Sequence, residues 1–301
     1  MKALKAIVRL ARVKQWVKNI FVFTALIFSG QSFDLHSILD TVIAFIAFCF
    51  ASSATYYLND FKDIEEDRRH PTKRLRPLAA GDLPRCAGLV GFFILLGAAI
   101  LLPLLQLNIW TTLVIAAYLG VNIGYSSGLK HFVIIDVLVI ATGFVLRILA
   151  GAAALAVMPS AWLVLCGVTI SLFLGFTKRR AEVMLLGDRA SEHRKVLADY
   201  SPAFLDQVIS AVTAATIVGY VLYTVDERTI HLVGSRALLL SVPFVLYGIF
   251  RYLYLVYQAE SGGDPTKTVF TDVPLLITGG IWGVICTMII LFGRNLVKLV
   301  H

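Results

Sequence analysis

Nine stretches of the chain are almost wholly apolar: residues 17–34, 38–58, 86–106, 108–127, 132–157, 160–177, 206–226, 236–256 and 273–293. About 20 such residues carry a helix through the hydrocarbon of a bilayer. The charged positions gather in the gaps. The pattern predicts an all-α, polytopic membrane protein of about nine transmembrane helices, folded as one membrane-embedded domain over residues 1–301. The first run has a second reading. Its basic approach, Lys2 to Lys18, and short apolar core have the outline of a signal peptide. Eight further runs, and Trp16 placed as an interfacial anchor, favour a retained helix.

Composition strengthens the membrane assignment. The chain is 58% hydrophobic and 15% charged, with a mean hydropathy of +0.81. Soluble domains are about 45–50% apolar and about 25% charged, so too few charges remain to coat a water-soluble body. The formal charge of +8 would suggest nucleic-acid binding in a soluble protein; here its placement matters more, and no nucleic-acid partner is implied. Lys2, Lys5, Arg9, Arg12, Lys14 and Lys18 fill the N-terminal arm. Lys62, Arg68, Arg69, Lys73, Arg74, Arg76 and Arg85 follow the second run, and Lys178, Arg179, Arg180, Arg189, Arg194 and Lys195 the sixth. The opposite side holds Arg228, Arg236, Arg294 and Lys298. The positive-inside rule then places the N terminus and the even-numbered loops in the cytoplasm, in a plasma-membrane protein. The two long charged loops lie four helices apart, which hints at two related halves. Cys49, Cys86, Cys166 and Cys286 form no CxxC pair and read as packing residues.

Candidate chemistry concentrates after the second run. Asp60, Asp63 and Asp67 stand at i, i+3 and i+7 and would share one helical face, whereas Glu65 and Glu66 point elsewhere. Carboxylates converging at the end of a membrane helix need a cation. Mg²⁺ suits them, because it binds through a few carboxylates plus substrate phosphates. The adjacent Arg68, Lys73, Arg74 and Arg76 could neutralise a diphosphate. The bland alternative is a solvated loop of mixed charge. His70 reads as a loop hydrogen-bonder.

Asn59-Asp60-x-x-Asp63-x-x-x-Asp67, followed by Thr72-Lys73-x-x-Arg76-Pro77-Leu78-x-x-Gly81, resembles the first signature of the UbiA superfamily of intramembrane prenyltransferases. One branch, the decaprenyl-phosphate phosphoribosyltransferases, is similar in further places. These are Gln15-Trp16-Val17-Lys18-Asn19, Asp67-Arg68-x-His70-Pro71-Thr72-Lys73-Arg74-x-Arg76-Pro77, Gly128-Leu129-Lys130-His131, Leu146-Arg147-x-x-Ala150-Gly151 and Lys178-Arg179-x-Ala181-Glu182. The resemblance implies Mg²⁺-dependent transfer of 5-phosphoribose from phosphoribosyl diphosphate to a polyprenyl phosphate. Asp60, Asp63 and Asp67 would hold the metal, and direct attack would invert the anomeric carbon.

The second polar loop discriminates. Aromatic prenyltransferases of the superfamily carry a second aspartate-rich motif there, whereas this chain reads Thr177-Lys178-Arg179-Arg180-Ala181-Glu182. Lys178, Arg179 and Arg180 could meet a 5-phosphate, or the loop could contact lipid headgroups. Arg147 lies well inside the fifth run, where an arginine marks a functional site or a buried partner. Asp136 is eleven residues earlier on that face, and Gly143 and Gly151 flank Arg147 and would leave a groove. Arg147 could meet the lipid phosphate or lock the bundle through a carboxylate. Tyr125 and Lys130 could complete the polar rim; Asp264 and Asp272 read equally as caps. Two other functions fit part of the pattern: an aromatic polyprenyltransferase acting on a substrate such as 4-hydroxybenzoate, and a lipid transporter.

Overall fold

The computed structural model describes residues 2–28, 34–69, 73–186, 195–258 and 265–300, and every regular element among them is helical. The short helices are α1 (Lys2–Ala11), α2 (Thr24–Phe28), α4 (Ile64–Arg69), α10 (Glu227–Val233) and α12 (Pro265–Thr271). The long ones are α3 (Leu35–Lys62), α5 (Arg85–Gln106), α6 (Ile109–Ser127), α7 (Ile135–Ala154), α8 (Ala161–Leu186), α9 (Pro202–Val225), α11 (Val242–Tyr257, led in by the 3-10 turn Ala237–Ser241) and α13 (Val273–Val300). Eight helices among the described residues are long and apolar enough to cross a membrane. His70, Pro71, Thr72, Arg189, Arg194 and Asp264 lie outside the described residues, as do the side chains of Lys2, Lys195, Arg294 and Lys298.

Local chemistry fixes the helix ends. The Asp34 carboxylate accepts from the Ser37 amide at 2.9 Å to start α3, and Ser201 caps α9 ahead of Pro202, as N-caps and an N1 proline should. Inside the spans, hydroxyls return to their own helix: Thr41 to the Ser37 carbonyl at 2.8 Å, Ser171 to Gly167 at 2.6 Å and Thr177 to Phe173 at 2.8 Å. In hydrocarbon these donors have no water to turn to.

The first apolar run departs from expectation. It is a 3-10 helix over Val13–Phe23 followed by the short α2, not a long α-helix. It nevertheless runs antiparallel along α3. Arg12 meets Asp60, Trp16 donates to Ser53 at 3.0 Å, Asn19 reaches Ser52 and Cys49, and the Phe23 ring packs 5.4 Å from Phe45. At about 2.0 Å rise per residue, against about 1.5 Å in an α-helix, few residues cover that length. The eight spans found among the described residues begin with α3, one fewer than the nine apolar runs.

The described contacts divide the chain into two compact units. One comprises Met1–Leu26, Gln31–Ser127 and Leu146–Met158; the other comprises Ile27–Gly30, Gly128–Val145 and Pro159–His301. In the first, Phe48, Ala51, Ile115, Leu119 and Ala150 form the core. The groove expected beside Gly151 is filled, because an added Cβ would stand 1.9 Å from the Val22 carbonyl oxygen. Gly151→Ala should therefore destabilise the protein by about 2 kcal/mol or more, read as a lowered melting temperature in detergent. In the second unit Val137, Phe173, Phe176, Leu205 and Ile209 form the core. Val137 fills the notch left by Gly175, where a Cβ would lie 2.5 Å from its side chain.

Candidate active site

In the first unit α3 delivers Asp60 to a polar cluster at its C-terminal end. Helix α3 stops at Lys62, Asp63 is its C-cap (φ −93°, ψ 9°), and α4 resumes at Ile64. The chain thereby buries Asp60 and Asp67, each 2% exposed. Arg76 Nη1 donates to both, at 3.2 Å to Asp60 Oδ1 and 2.7 Å to Asp67 Oδ2. Arg12 Nη2 donates to the same Asp60 oxygen at 2.6 Å, and its guanidinium carbon stands 4.4 Å from the Tyr56 ring centre. Two carboxylates thus meet two guanidinium groups, with charge-assisted bonds of the strong kind.

This arrangement revises the expectation of three carboxylates on one face. Asp60 and Asp67 converge, whereas Asp63, between α3 and α4, is half-buried and outside these ion pairs. Among the described residues no group of three His, Cys, Asp or Glu side chains stands at ligand spacing. Arg68 turns away to Glu65 and the Ala79 carbonyl, and Glu65 also pairs with Arg85. Lys73 and Arg74 are exposed, while Asn59 and Lys18 are half-buried.

Deeper in the same unit lies Arg147, 7% exposed. Its Nε donates to Asn19 Oδ1 at 2.8 Å and its Nη2 to the Tyr118 hydroxyl at 3.3 Å. The guanidinium also faces the Phe48 and Tyr118 rings, at 5.1 and 4.9 Å. Neutral oxygens and aromatic faces, which attract cations, thus stand beside this intramembrane charge.

The second unit has its own network. Arg179 is 1% exposed. Its Nε donates to Asp136 Oδ2 at 2.7 Å and its Nη1 to Glu182 Oε2 at 2.5 Å. The Tyr200 hydroxyl donates to Asp136 Oδ1 and accepts from the Ile134 amide, both at 2.7 Å. Burial, then that bond to Asp136, pushes the Tyr200 phenol well above its ordinary pKa. Ile134 has φ 68°, a left-handed conformation a β-branched residue rarely adopts. Arg179 was expected as an open phosphate ligand; the carboxylates of Asp136 and Glu182 instead neutralise it inside the fold. Lys178, 40% exposed, sits 3.8 Å from Glu182. Arg180 pairs with Asp206 and stacks on Tyr257. Tyr125 and Lys130 are half-buried. Asp272 caps the Leu275 amide and pairs with Arg251, which holds its carboxyl below the usual range. Cys49 and Cys286 are buried as packing residues, whereas Cys86 is exposed.

Sequence reasoning missed Arg12, Tyr56, Tyr118 and Tyr200. Nothing separates Arg12 from the other arm cations until the fold sets it on Asp60.

The profile of the UbiA prenyltransferase family matches residues 19–272. The chain belongs to that family. It is 34% identical over 284 residues to the decaprenyl-phosphate phosphoribosyltransferase of Corynebacterium glutamicum, covering 91% of this chain and 83% of that one. It is 35% identical to the protein of the same name from Mycolicibacterium smegmatis, covering 92% and 89%. The fold of this UbiA-family chain is similar to that of a UbiA homologue from Archaeoglobus fulgidus bound to DMAPP and Mg²⁺, with a TM-score of 0.68 at 15% identity over 97% of this chain and 99% of that one. A UbiA-family protein with eight such helices is a multi-pass membrane protein.

Proposed function

We propose that the chain transfers 5-phosphoribose from phosphoribosyl diphosphate to a decaprenyl-type polyprenyl phosphate, releasing diphosphate. The observation that carries this reading is similarity, along more than four-fifths of their length, to two proteins named for that transfer. The charge cluster on Asp60 and Asp67 has the chemistry that a diphosphate requires.

The family implies a divalent metal, and the donor set fits one. Asp60 and Asp67 present hard oxygens to a single guanidinium nitrogen, so both lie within reach of one cation. Mg²⁺ commonly takes one or two carboxylates and completes its shell with phosphate and water. Asp60 and Asp67 would hold it, with Asp63 a third candidate. Bound there, it would neutralise charge building on the departing diphosphate.

Arg76 is proposed to bind diphosphate oxygens, and Asn59, Arg68, Lys73 and Arg74 are proposed as further substrate contacts from the same stretch of chain. The lipid phosphate oxygen attacks C1 of the ribose as the bond from C1 to the diphosphate oxygen breaks, and the electron pair leaves with diphosphate. The attacking phosphate is already anionic near neutral pH, so the chain need supply no strong base. Lys178 is proposed as a phosphate-binding cation in its own right, with Arg179 and Glu182 fixing its helix. Lys18, Tyr125, Lys130 and Arg147 are proposed substrate contacts. The positive-inside distribution favours a plasma-membrane protein with its N terminus and charged loops in the cytoplasm.

Purified protein incubated with Mg²⁺, phosphoribosyl diphosphate and a short polyprenyl phosphate should yield the phosphoribosylated lipid by mass, and EDTA should abolish it. Prenyl transfer to 4-hydroxybenzoate in place of that product would overturn the reading.

A further inference from the structure

The end of α1 is held in place from several directions. Arg9 donates to the Leu75 carbonyl at 2.8 Å and lies 3.8 Å from Asp82, while the Ala11 carbonyl accepts from Ser53 at 2.8 Å. Directly after Ala11, Arg12 adopts φ 49°, ψ 47°, a left-handed conformation that a non-glycine residue keeps only when its surroundings enforce it. The guanidinium is therefore delivered to a fixed place: on Asp60 Oδ1, an oxygen it shares with Arg76. Tyr56 offers its ring as a second resting surface 4.4 Å away.

The charges of this set decide what it can accept. Arg12, Arg76, Asp60 and Asp67 are neutral together, and the two carboxylates are almost fully buried. A divalent cation arriving alone must displace guanidinium from Asp60 and leaves excess positive charge in a poorly solvated place, which is costly. A diphosphate arriving alone meets two carboxylates. Arriving together they roughly balance, because the arginines can move from carboxylate to phosphate oxygens as the carboxylates take the cation.

Resting on the proposed diphosphate chemistry, we propose that Arg12 is a positioning residue that makes cation binding at Asp60 depend on diphosphate. It competes with the cation for the Asp60 oxygen and becomes a diphosphate ligand once both are present. The arm that carries it belongs to no part of the aspartate signature.

Calorimetry on the purified full-length protein in detergent, with Mn²⁺ alone, inorganic diphosphate as its Mn²⁺ complex, and no lipid, tests this. For the wild type, diphosphate should tighten Mn²⁺ binding at least about tenfold, roughly the worth of one charge-assisted hydrogen bond. Arg12→Gln should bind Mn²⁺ alone about tenfold more tightly and the diphosphate complex about tenfold more weakly. Arg12→Lys, which keeps the charge, should restore much of both. Should the Gln variant fail to fold, Arg12→Gly, which relieves the positive φ, carries the same test. A purely structural Arg12 would weaken both affinities or neither, and that result overturns the inference. A wild type that binds neither Mn²⁺ nor the diphosphate complex overturns the proposed function with it.

Discussion

Asp60→Asn is expected to lower phosphoribosyl transfer at least about 100-fold, the scale on which loss of one charge-stabilising group slows such reactions. The substitution keeps the shape of a side chain that is 2% exposed and removes the charge that Arg12 and Arg76 share. It also removes one of the two hard donors that converge, so cation binding and placement of the diphosphate suffer together. Asp67→Asn should be similarly damaging, since Arg76 holds Asp67 at 2.7 Å. Asp63→Asn should cost far less, because Asp63 ends α3 outside those ion pairs. Diphosphate release per folded protein, with a melting curve for each variant, decides it. Full activity in Asp60→Asn, or a larger loss in Asp63→Asn, would refute the assignment.

The largest stability effect is expected at the other buried pair. Asp136→Leu takes from Arg179, 1% exposed, the carboxylate that accepts from its Nε. Removing one partner of a buried ion pair costs about 3–5 kcal/mol; Glu182 keeps one bond to Arg179, which favours the lower end. The melting temperature in detergent should fall by on the order of 10 °C. The double variant Asp136→Leu with Arg179→Met should recover much of that loss, because it removes the stranded charge as well. A single variant that melts with the wild type would show that the pair contributes nothing to stability.

The long helices were legible in the sequence because lipid enforces them: apolar length marks a span with little regard to packing detail. The same signal failed at Val13–Phe23, since apolarity reports contact with lipid and protein and does not distinguish a 3-10 from an α backbone. Asp60 and Asp67 were legible as a pair at i and i+7. Asp63 is the C-cap of α3 and stands outside their ion pairs, a distinction that spacing along the chain does not carry. Arg179 was recognised as important, but its charge belongs to Asp136 on a neighbouring helix 43 residues away, a pairing no local pattern reveals. Tyr200 reaches Ile134 across 66 residues and was invisible for the same reason.

The 3-10 segment Val13–Phe23 has a consequence for biogenesis. Its anchors come from two helices, Ser53, Ser52, Cys49 and Asp60 from α3 and Arg147 from α7. The full set of its contacts therefore forms only after α7 has been synthesised.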